Sequence, residues 1–134
     1  MKNREVKNIV PVESLSKPRG VWSTAITVQP GKLLFVSGLL SKDVNGDIVG
    51  VGDMAAQTEQ VLKNLEVALA SAGGKMADIV RVDVYVRDIS KFEEIHAVRR
   101  RYFPIDPPTS TMVEVSRLTD DRCLIEITAI ASLP

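Results

Sequence analysis

The segment from Ile79 to Arg87 constrains the fold most strongly, because valine alternates with another residue type at every second position. Side chains on a β-strand point alternately to opposite faces, so these valines would all lie on one side. A strand of this kind belongs to a sheet that is covered on one face. The predicted buried face consists of Val80, Val82, Val84 and Val86.

Two segments have the helical periodicity that could cover this face. After Asp53, which suits an N-cap, apolar residues recur at three- and four-residue steps until Gly73 and Gly74. A second stripe follows Ser90 and ends before the prolines at 104, 107 and 108. We therefore predict two helices. Their stripes are Ala55, Thr58, Leu62, Leu65, Leu69 and Ala72 in the first, and Phe92, Ile95, Arg99, Tyr102 and Phe103 in the second.

The remaining apolar segments predict strands. Residues 21–28 and 33–39 flank Pro30 and Gly31, which predicts a β-hairpin, and Asn45-Gly46 predicts a second, short hairpin. Residues 111–116 and 123–131 predict two C-terminal strands. The order β-β-α-β-α-β-β indicates a two-layer α+β domain spanning residues 1–134, with residues 1–17 as an N-terminal extension.

The sheet face away from the helices would carry a mixture of polar, aromatic and apolar side chains. Such a face can be solvated, or it can be a subunit interface, since interfaces combine aromatic, Met and Arg residues with trapped water. We favour the interface. The residues predicted on this face are Arg81, Asp83, Tyr85, Arg87, Met112, Glu114, Glu126 and Thr128.

Composition excludes several kinds of function. Lys and Arg number 17 and Asp and Glu number 17, so no excess positive charge exists to attract a nucleic acid, which is not expected as a partner. One cysteine and one histidine exclude an intramolecular disulfide and zinc sites built on paired ligands, so transition-metal chemistry is not expected. Residues 1–17 lack the apolar core of a signal peptide, and no segment approaches the roughly 18 apolar residues of a membrane span. We expect a soluble, cytoplasmic protein without membrane contact.

Few residues stand out as candidates for chemistry. The sequence contains no P-loop, HExxH or GxSxG motif. His96 is interpreted as a packing histidine, with a general base as the alternative. The run Arg99-Arg100-Arg101 is interpreted as a solvated helix face, with an anion site as the alternative. Cys123 is interpreted as a small buried hydrophobic residue of the last strand.

Four motifs, in this order, resemble the RidA/YjgF/YER057c/UK114 (Rid) family. They are Phe35-Val-Ser-Gly38, Ala72-Gly-Gly with Met76-Ala-Asp-Ile-Val80, the strand VDVYVRD, and the C-terminal LIEITAIA. The similarity runs from Pro18 to the C-terminus. It implies a chorismate-mutase-like α+β fold and a homotrimer in which the sheets form a central barrel, with a cleft between each pair of subunits.

The resemblance also implies an activity. The best understood members of the family hydrolyse reactive enamines and imines, such as 2-aminoacrylate, to a keto acid and ammonia, without a metal or organic cofactor. An imine carbon is already electrophilic, so the protein needs only to bind the carboxylate, orient a water and supply a proton. We therefore expect an enamine or imine deaminase whose ligand is a small imine, enamine or carboxylate.

Two positions depart from the family pattern. Ser110 takes the place of an arginine that binds the substrate carboxylate, and Thr128 takes the place of a glutamate thought to position the water. The resemblance thus implies a branch that lacks the usual arginine. Another cation would have to bind the carboxylate, and the candidates are Arg19, Arg99 and Arg100, because serine cannot replace a guanidinium.

The other family positions suggest roles for the remaining residues. Trp22 matches a tyrosine and would stack on the substrate, Ser37 matches a serine, and His96 matches an asparagine and would donate or relay the proton. The predicted catalytic residues are His96, Thr128 and Ser110. The predicted substrate-binding residues are Trp22, Ser37, Thr111, Met112 and Arg19.

Three functions remain open from the sequence. The first is a deaminase acting on an imine or enamine other than 2-aminoacrylate, and the N-terminal KPRG and the PTST segment resemble those of aminomuconate deaminases. The second is a non-catalytic trimer that binds a small metabolite or has a regulatory role. The third and least favoured is an endoribonuclease, because the chain lacks a basic, aromatic groove for RNA.

Overall fold

Two helices cover one face of a four-stranded mixed sheet. The computed structural model describes residues 7–29 and 31–134. Its helices are α1 (Met54–Ser71) and α2 (Phe92–Tyr102), with short 3-10 turns at Met76–Asp78 and Ile89–Lys91. Its strands are β1 (Lys7–Ile9), β2 (Ile26–Val28), β3 (Lys32–Leu39), β4 (Ile79–Val86), β5 (Thr109–Glu114) and β6 (Ile125–Leu133).

The four-stranded sheet has the order β3-β6-β4-β5. Strand β6 runs antiparallel to both of its neighbours, and β5 runs parallel to β4. In the register between β4 and β6, Val84 lies opposite Ile127, and both are buried. The predicted valine face is confirmed for three of its four residues, while Val80, at a register shift between Ile79 and Arg81, is only half-buried.

Both helices begin and end where the periodicity predicts. The Asp53 side chain accepts a hydrogen bond of 3.0 Å from the backbone N–H of Ala56, which satisfies one of the free donors at the start of α1. Gly73 follows the end of α1 with a φ of +79°, a conformation that favours glycine. The α1 stripe packs on the sheet through buried residues that include Val61, Leu62, Leu65 and Leu69.

The first predicted hairpin is wrong. β2 pairs antiparallel with β1 rather than with β3, so that Ile9 lies opposite Ile26 in a separate two-stranded sheet. Residues 21–25 are not a strand, because Ser23 bonds to the proline-rich loop instead, through its N–H to Pro108 O at 3.0 Å and its hydroxyl to Pro107 O at 2.5 Å. Pro30 of the predicted turn lies outside the described residues.

The second hairpin is confirmed as a tight turn, in which Gly46 has a φ of +84° and Lys42 bridges to Ile48. The two C-terminal strands are confirmed with their bounds displaced by two residues, and Cys123 is buried just before β6 rather than within it. Among the described residues, no helix is long and apolar enough to cross a membrane.

The predicted outer face of the sheet is wrong at two positions. Met112 lies opposite Val84 and Glu114 opposite Val86, which places both on the helix side. The sequence of β5 does not show which of its faces points toward the helices, because each face carries both polar and apolar side chains. The β5 residues on the outer face are Thr109, Thr111 and Val113.

Candidate functional site

A cavity of about 230 Å³ lies between α2, β5 and the segment that contains Trp22. Four residues of the predicted site line it: Trp22, His96, Ser110 and Met112. The fifth lining residue is Arg99, one of the three cations proposed to replace the arginine missing from the family position. The helix α2 and the strand β5, which follow one another in the sequence, therefore meet the distant Trp22 segment at one small cavity.

The side chain of Arg99 is enclosed by the protein. The residue is 1% exposed, although the arginine run was predicted to be a solvated face, and only Arg100 and Arg101 are exposed. Position 99 lies on the inward stripe of α2 with Ile95, one turn earlier, and packing of that stripe on the sheet carries Arg99 inside. The solvated-face prediction is therefore wrong for Arg99.

The Arg99 guanidinium is held by two neutral acceptors. Its Nη2 donates hydrogen bonds of 2.9 Å to the backbone oxygen of Val21 and of 2.9 Å to Ser110 Oγ. No carboxylate among residues 7–29 and 31–134 forms an ion pair with it, and its buried Nε has no hydrogen-bond acceptor there. Burial lowers the pKa of Arg99 to about 10, which leaves the group positively charged at neutral pH. The cavity thus contains a positive charge that no described residue neutralises.

His96 lines the same cavity as Arg99. The residue is buried and lies between two aromatic rings, with ring centroids 6.0 Å from Trp22 and 5.7 Å from Phe92. Its Nδ1 is buried without a partner among the described residues. Burial lowers the pKa of His96 below 6.5, Arg99 and Arg100 lower it further, and Glu93 opposes the shift. The imidazole is therefore neutral at pH 7, so it can first accept a proton and then return it.

Gly20 allows Trp22 and His96 to approach the chain. A Cβ atom at position 20 would lie 2.9 Å from His96 Nε2 and closer still to the Trp22 ring. Real Cβ atoms do not approach heavy atoms so closely, so any larger residue would displace one of the two rings. The glycine is therefore part of the architecture of the cavity.

A second cavity, of about 390 Å³, extends the site along β5 toward the outer face of the sheet. Trp22 and Ser110 line this cavity as well as the first, and Thr111 of the predicted substrate-binding set joins them. Arg81 supplies a cation, but its guanidinium is paired with Asp83 at 3.1 Å. Of the two arginines that line these two cavities, only Arg99 has no carboxylate partner among the described residues.

Three predicted residues lie elsewhere. Ser37 is exposed on β3, which is separated from β5 by β6 and β4, or about 14 Å at the usual spacing of strands. Thr128 lies opposite Asp83 in the register of β6 and β4, on the outer face of the sheet. Arg19 is exposed and lines neither cavity. Within one chain these residues are not brought to Arg99.

The burial of Arg99 is the feature that reading the sequence missed, although a signal was present. Arg99 is the polar member of an otherwise apolar stripe, four residues after Ile95, and an arginine at such a position must either reach the surface or be buried. Among the described residues there is no group of three or more His, Cys, Asp or Glu side chains that could hold a metal ion.

We predict that the imidazole of the folded protein titrates below pH 6.5. His96 is the single histidine of the chain, so its ring protons can be followed by NMR without a variant. Because the unfolded chain binds the proton more readily, the contribution of His96 to the free energy of unfolding is complete above pH 6.5 and is lost as the pH falls below it. The same titration in urea should have its midpoint near 6.5. A midpoint in the folded protein at or above that of the urea sample would contradict the burial of His96.

Comparison with known proteins places this chain in a family. The family model described as Endoribonuclease L-PSP matches residues 13–133. A RutC family protein of Pyrococcus horikoshii is 38% identical over 126 residues, which cover 94% of this chain and 98% of the relative. The 3-aminoacrylate deaminase RutC of Acinetobacter baylyi is 34% identical over 125 residues, or 93% of this chain and 97% of that protein.

The solved structures agree with the fold. The crystal structure of YyfB from Yersinia pestis, described as a protein of unknown function of the conserved Rid family, has a TM-score of 0.90 and 32% sequence identity. The match covers 96% of this chain and all of that one. The α+β fold predicted from the sequence is confirmed. With a family model over nearly the whole chain, and with relatives and a solved structure that match almost end to end, this protein belongs to the Rid (YjgF/YER057c/UK114) family.

Proposed function

We propose that this protein hydrolyses the C=N bond of an imine, or of an enamine after it tautomerises, to give a carbonyl compound and ammonia. The observation that carries the proposal is the buried, positively charged Arg99 guanidinium, which lines a cavity and has no carboxylate partner among the described residues. Isolating a charge from water costs several kcal/mol unless a partner compensates for it. A substrate carboxylate would supply the missing partner.

Three of the five lining residues, Arg99, Trp22 and His96, act on the substrate in this reaction. The carboxylate accepts hydrogen bonds from Arg99 donors that Val21 and Ser110 leave free. Trp22 packs against the unsaturated part of the substrate. His96, neutral at pH 7, accepts a proton from the attacking water as its oxygen bonds to the imine carbon. His96 returns this proton to the imine nitrogen, which gives a tetrahedral carbinolamine with one hydroxyl and one amino group. His96 then accepts the hydroxyl proton and passes it to the amino nitrogen, so that the C–N bond breaks and ammonia leaves as the C=O bond forms.

In this proposal the protein is an arginine-lacking member of the family in which the charge has moved from a strand to a helix. The position of the missing arginine is Ser110, and Ser110 accepts the hydrogen bond from Arg99 at 2.9 Å. The Arg99 guanidinium therefore contacts the residue that stands at the family's arginine position. A relative named as a 3-aminoacrylate deaminase supports a small carboxylate-bearing enamine or imine as the substrate. The size of the cavity and the balanced charge of the chain favour such a molecule over RNA.

Replacing Arg99 tests whether its guanidinium binds the substrate carboxylate. We expect Arg99→Met to lower kcat/KM for an imine bearing a carboxylate about 100-fold, since hydrogen bonds to a charged group contribute about 1.5–3 kcal/mol. Arg100→Met, on the exposed side of the same helix, is the matched control and should change kcat/KM less than twofold. Imine can be generated in the cuvette by an L-amino acid oxidase acting on alanine, with semicarbazide as the competing trap. If a folded Arg99→Met protein retains full activity, Arg99 does not bind the substrate carboxylate.

Replacing His96 separates an enzyme from a non-catalytic binding protein. Among the described residues that line the cavity around Arg99 there is no aspartate, glutamate or cysteine, so His96 is the one side chain in that lining that titrates near neutral pH. We expect His96→Gln to lower kcat at least 100-fold while the Kd for pyruvate, a product analogue, changes less than threefold. The Kd can be read from the fluorescence of Trp22, the single tryptophan. A wild-type protein that binds pyruvate but accelerates no imine hydrolysis would favour the binding role.

We also propose that the protein is a homotrimer in which the outer faces of the sheets meet. Three large apolar residues are exposed on that face of the single chain: Leu33 at 50%, Phe35 at 70% and Val113 at 42%. Leu33 and Phe35 lie on one edge strand, β3, and Val113 lies on the other, β5. Large apolar side chains exposed on an uncovered sheet face are typical of an interface. A trimer would also bring outer-face residues of one subunit, such as Ser37 and Thr128, toward another subunit.

The assembly can be tested by light scattering after gel filtration. The wild type should have three times the 14.7 kDa mass of the chain. Phe35→Glu should dissociate it, because a charge would be buried at the contact. Val44→Glu, at a residue that is 99% exposed on a loop, is the control and should leave the mass unchanged. A monomeric wild type at micromolar concentration would contradict the trimer.

A further inference from the structure

Hydrogen bonds fix the backbone on both sides of Trp22. Before it, the carbonyl oxygen of Val21 accepts a hydrogen bond of 2.9 Å from the buried guanidinium of α2. After it, the buried Ser23 donates two hydrogen bonds to the loop that precedes β5, from its N–H to Pro108 O at 3.0 Å and from its hydroxyl to Pro107 O at 2.5 Å. The position of the Trp22 backbone therefore depends on α2 and on this loop.

The loop that precedes β5 is held in turn by Lys7, the first residue of β1. The Lys7 Nζ donates hydrogen bonds to Asp106 O at 2.9 Å and to Ile79 O at 3.2 Å. Among the described residues, Asp106 is the one residue other than glycine with a positive φ, +47°, and such a conformation persists where the surrounding structure holds it. One side chain therefore links β1, the first residue of β4 and the loop.

The bonds made by Lys7 are unusual for a lysine. A surface lysine normally keeps its ammonium in water, because ordering its long side chain costs conformational entropy. The half-buried Lys7 instead ends on two backbone carbonyls, and hydrogen bonds from a charged donor are stronger than neutral ones. Pairing with β4 fixes the chain from Thr109 onward, and Lys7 fixes it at Asp106. The two carbonyls that bind Ser23 lie between these fixed points.

We propose that Lys7 is a positioning residue that sets where the Trp22 ring lies beside His96. Lys7 lines neither cavity of the candidate site, so it acts through the loop, whose carbonyls hold Ser23 next to Trp22. The effect of Lys7 on the ring is independent of turnover. Its effect on the reaction rests on the proposed function, in which Trp22 packs against the unsaturated part of the substrate. Lys7 therefore acts on substrate binding rather than on proton transfer.

Two spectroscopic signals report the position of the Trp22 ring without turnover. The Trp22 and His96 ring centroids are 6.0 Å apart, and each residue is the single one of its type in the chain. We expect Lys7→Met to shift the His96 ring protons in NMR at pH 8 and the emission maximum of Trp22. Lys7→Arg, which can donate to the same two carbonyls, should keep the wild-type values. Lys63→Met, on the exposed side of α1, is the control, and unchanged signals in Lys7→Met or equal shifts in Lys63→Met would overturn the proposal.

A second variant tests whether Lys7 acts through Ser23. Ser23→Ala removes the hydroxyl bond to Pro107 O and leaves Lys7 in place. We expect it to shift both signals in the same direction as Lys7→Met, and the double variant to shift them no further than the larger single shift, because residues that act through one another are not additive. Additive shifts would overturn the proposal. If circular dichroism shows that Lys7→Met does not fold, wild-type signals in Ser23→Ala would overturn it.

Steady-state kinetics separate a positioning role from a general loss of structure. With the imine made from alanine, we expect Lys7→Met to raise KM about fivefold and to change kcat less than twofold, since Trp22 contacts the substrate in the ground state and the transition state alike. A fall in kcat at constant KM would indicate loss of folded protein and would overturn the positioning role. If the wild type hydrolyses no imine while Lys7→Met still shifts both signals, the proposed function fails and the positioning of Trp22 by Lys7 stands.

Discussion

The apolar contact between the two helices and the inner face of the sheet is the interaction on which the rest of this structure depends. Buried side chains of α1 such as Leu62 and Leu65 belong to one core with Ile125 and Ile127 of the central strand β6. Burial of each such side chain contributes about 1.5–3 kcal/mol, far more than any surface ion pair of this protein. Because α2 packs on the same face, everything on its inward stripe is carried into the interior, including Arg99.

That packing buries the positive charge of Arg99, and the groups that surround this charge form the candidate site. A guanidinium cannot lose its charge at neutral pH, so it needs acceptors wherever the fold buries it. Val21 and Ser110 supply two neutral acceptors, which tie the Trp22 segment and β5 to α2. Burial of the imidazole lowers the pKa of His96, and the positive charge of Arg99 lowers it further. The unneutralised charge of Arg99 thus lies in the same cavity as the neutral imidazole of His96 and the Trp22 ring.

The parts of the fold that could be read from the sequence are those with a strong local signal. The alternation in β4 and the stripes of α1 and α2 express a single buried face, and Asp53 and Gly73 mark the ends of α1 through local bonds and backbone conformation. The short strand β1 has no such pattern, since three residues are too few to alternate visibly, so its pairing with β2 was missed. The orientation of β5 was missed because both of its sides mix polar and apolar residues.

The candidate site, like the fold, has some features that can be read from the sequence and others that depend on tertiary packing. The sequence by itself determined which residue types were present: one histidine, one tryptophan, a serine at the family's arginine position and an arginine within an apolar stripe. Only the tertiary structure decided that Trp22, His96, Arg99 and Ser110 line one cavity, while Ser37 and Thr128 lie on other strands. The physical reason is that the meaning of a charged residue depends on its surroundings. The same arginine is a solvated side chain on a free helix and an unpaired buried charge once that helix packs against β5.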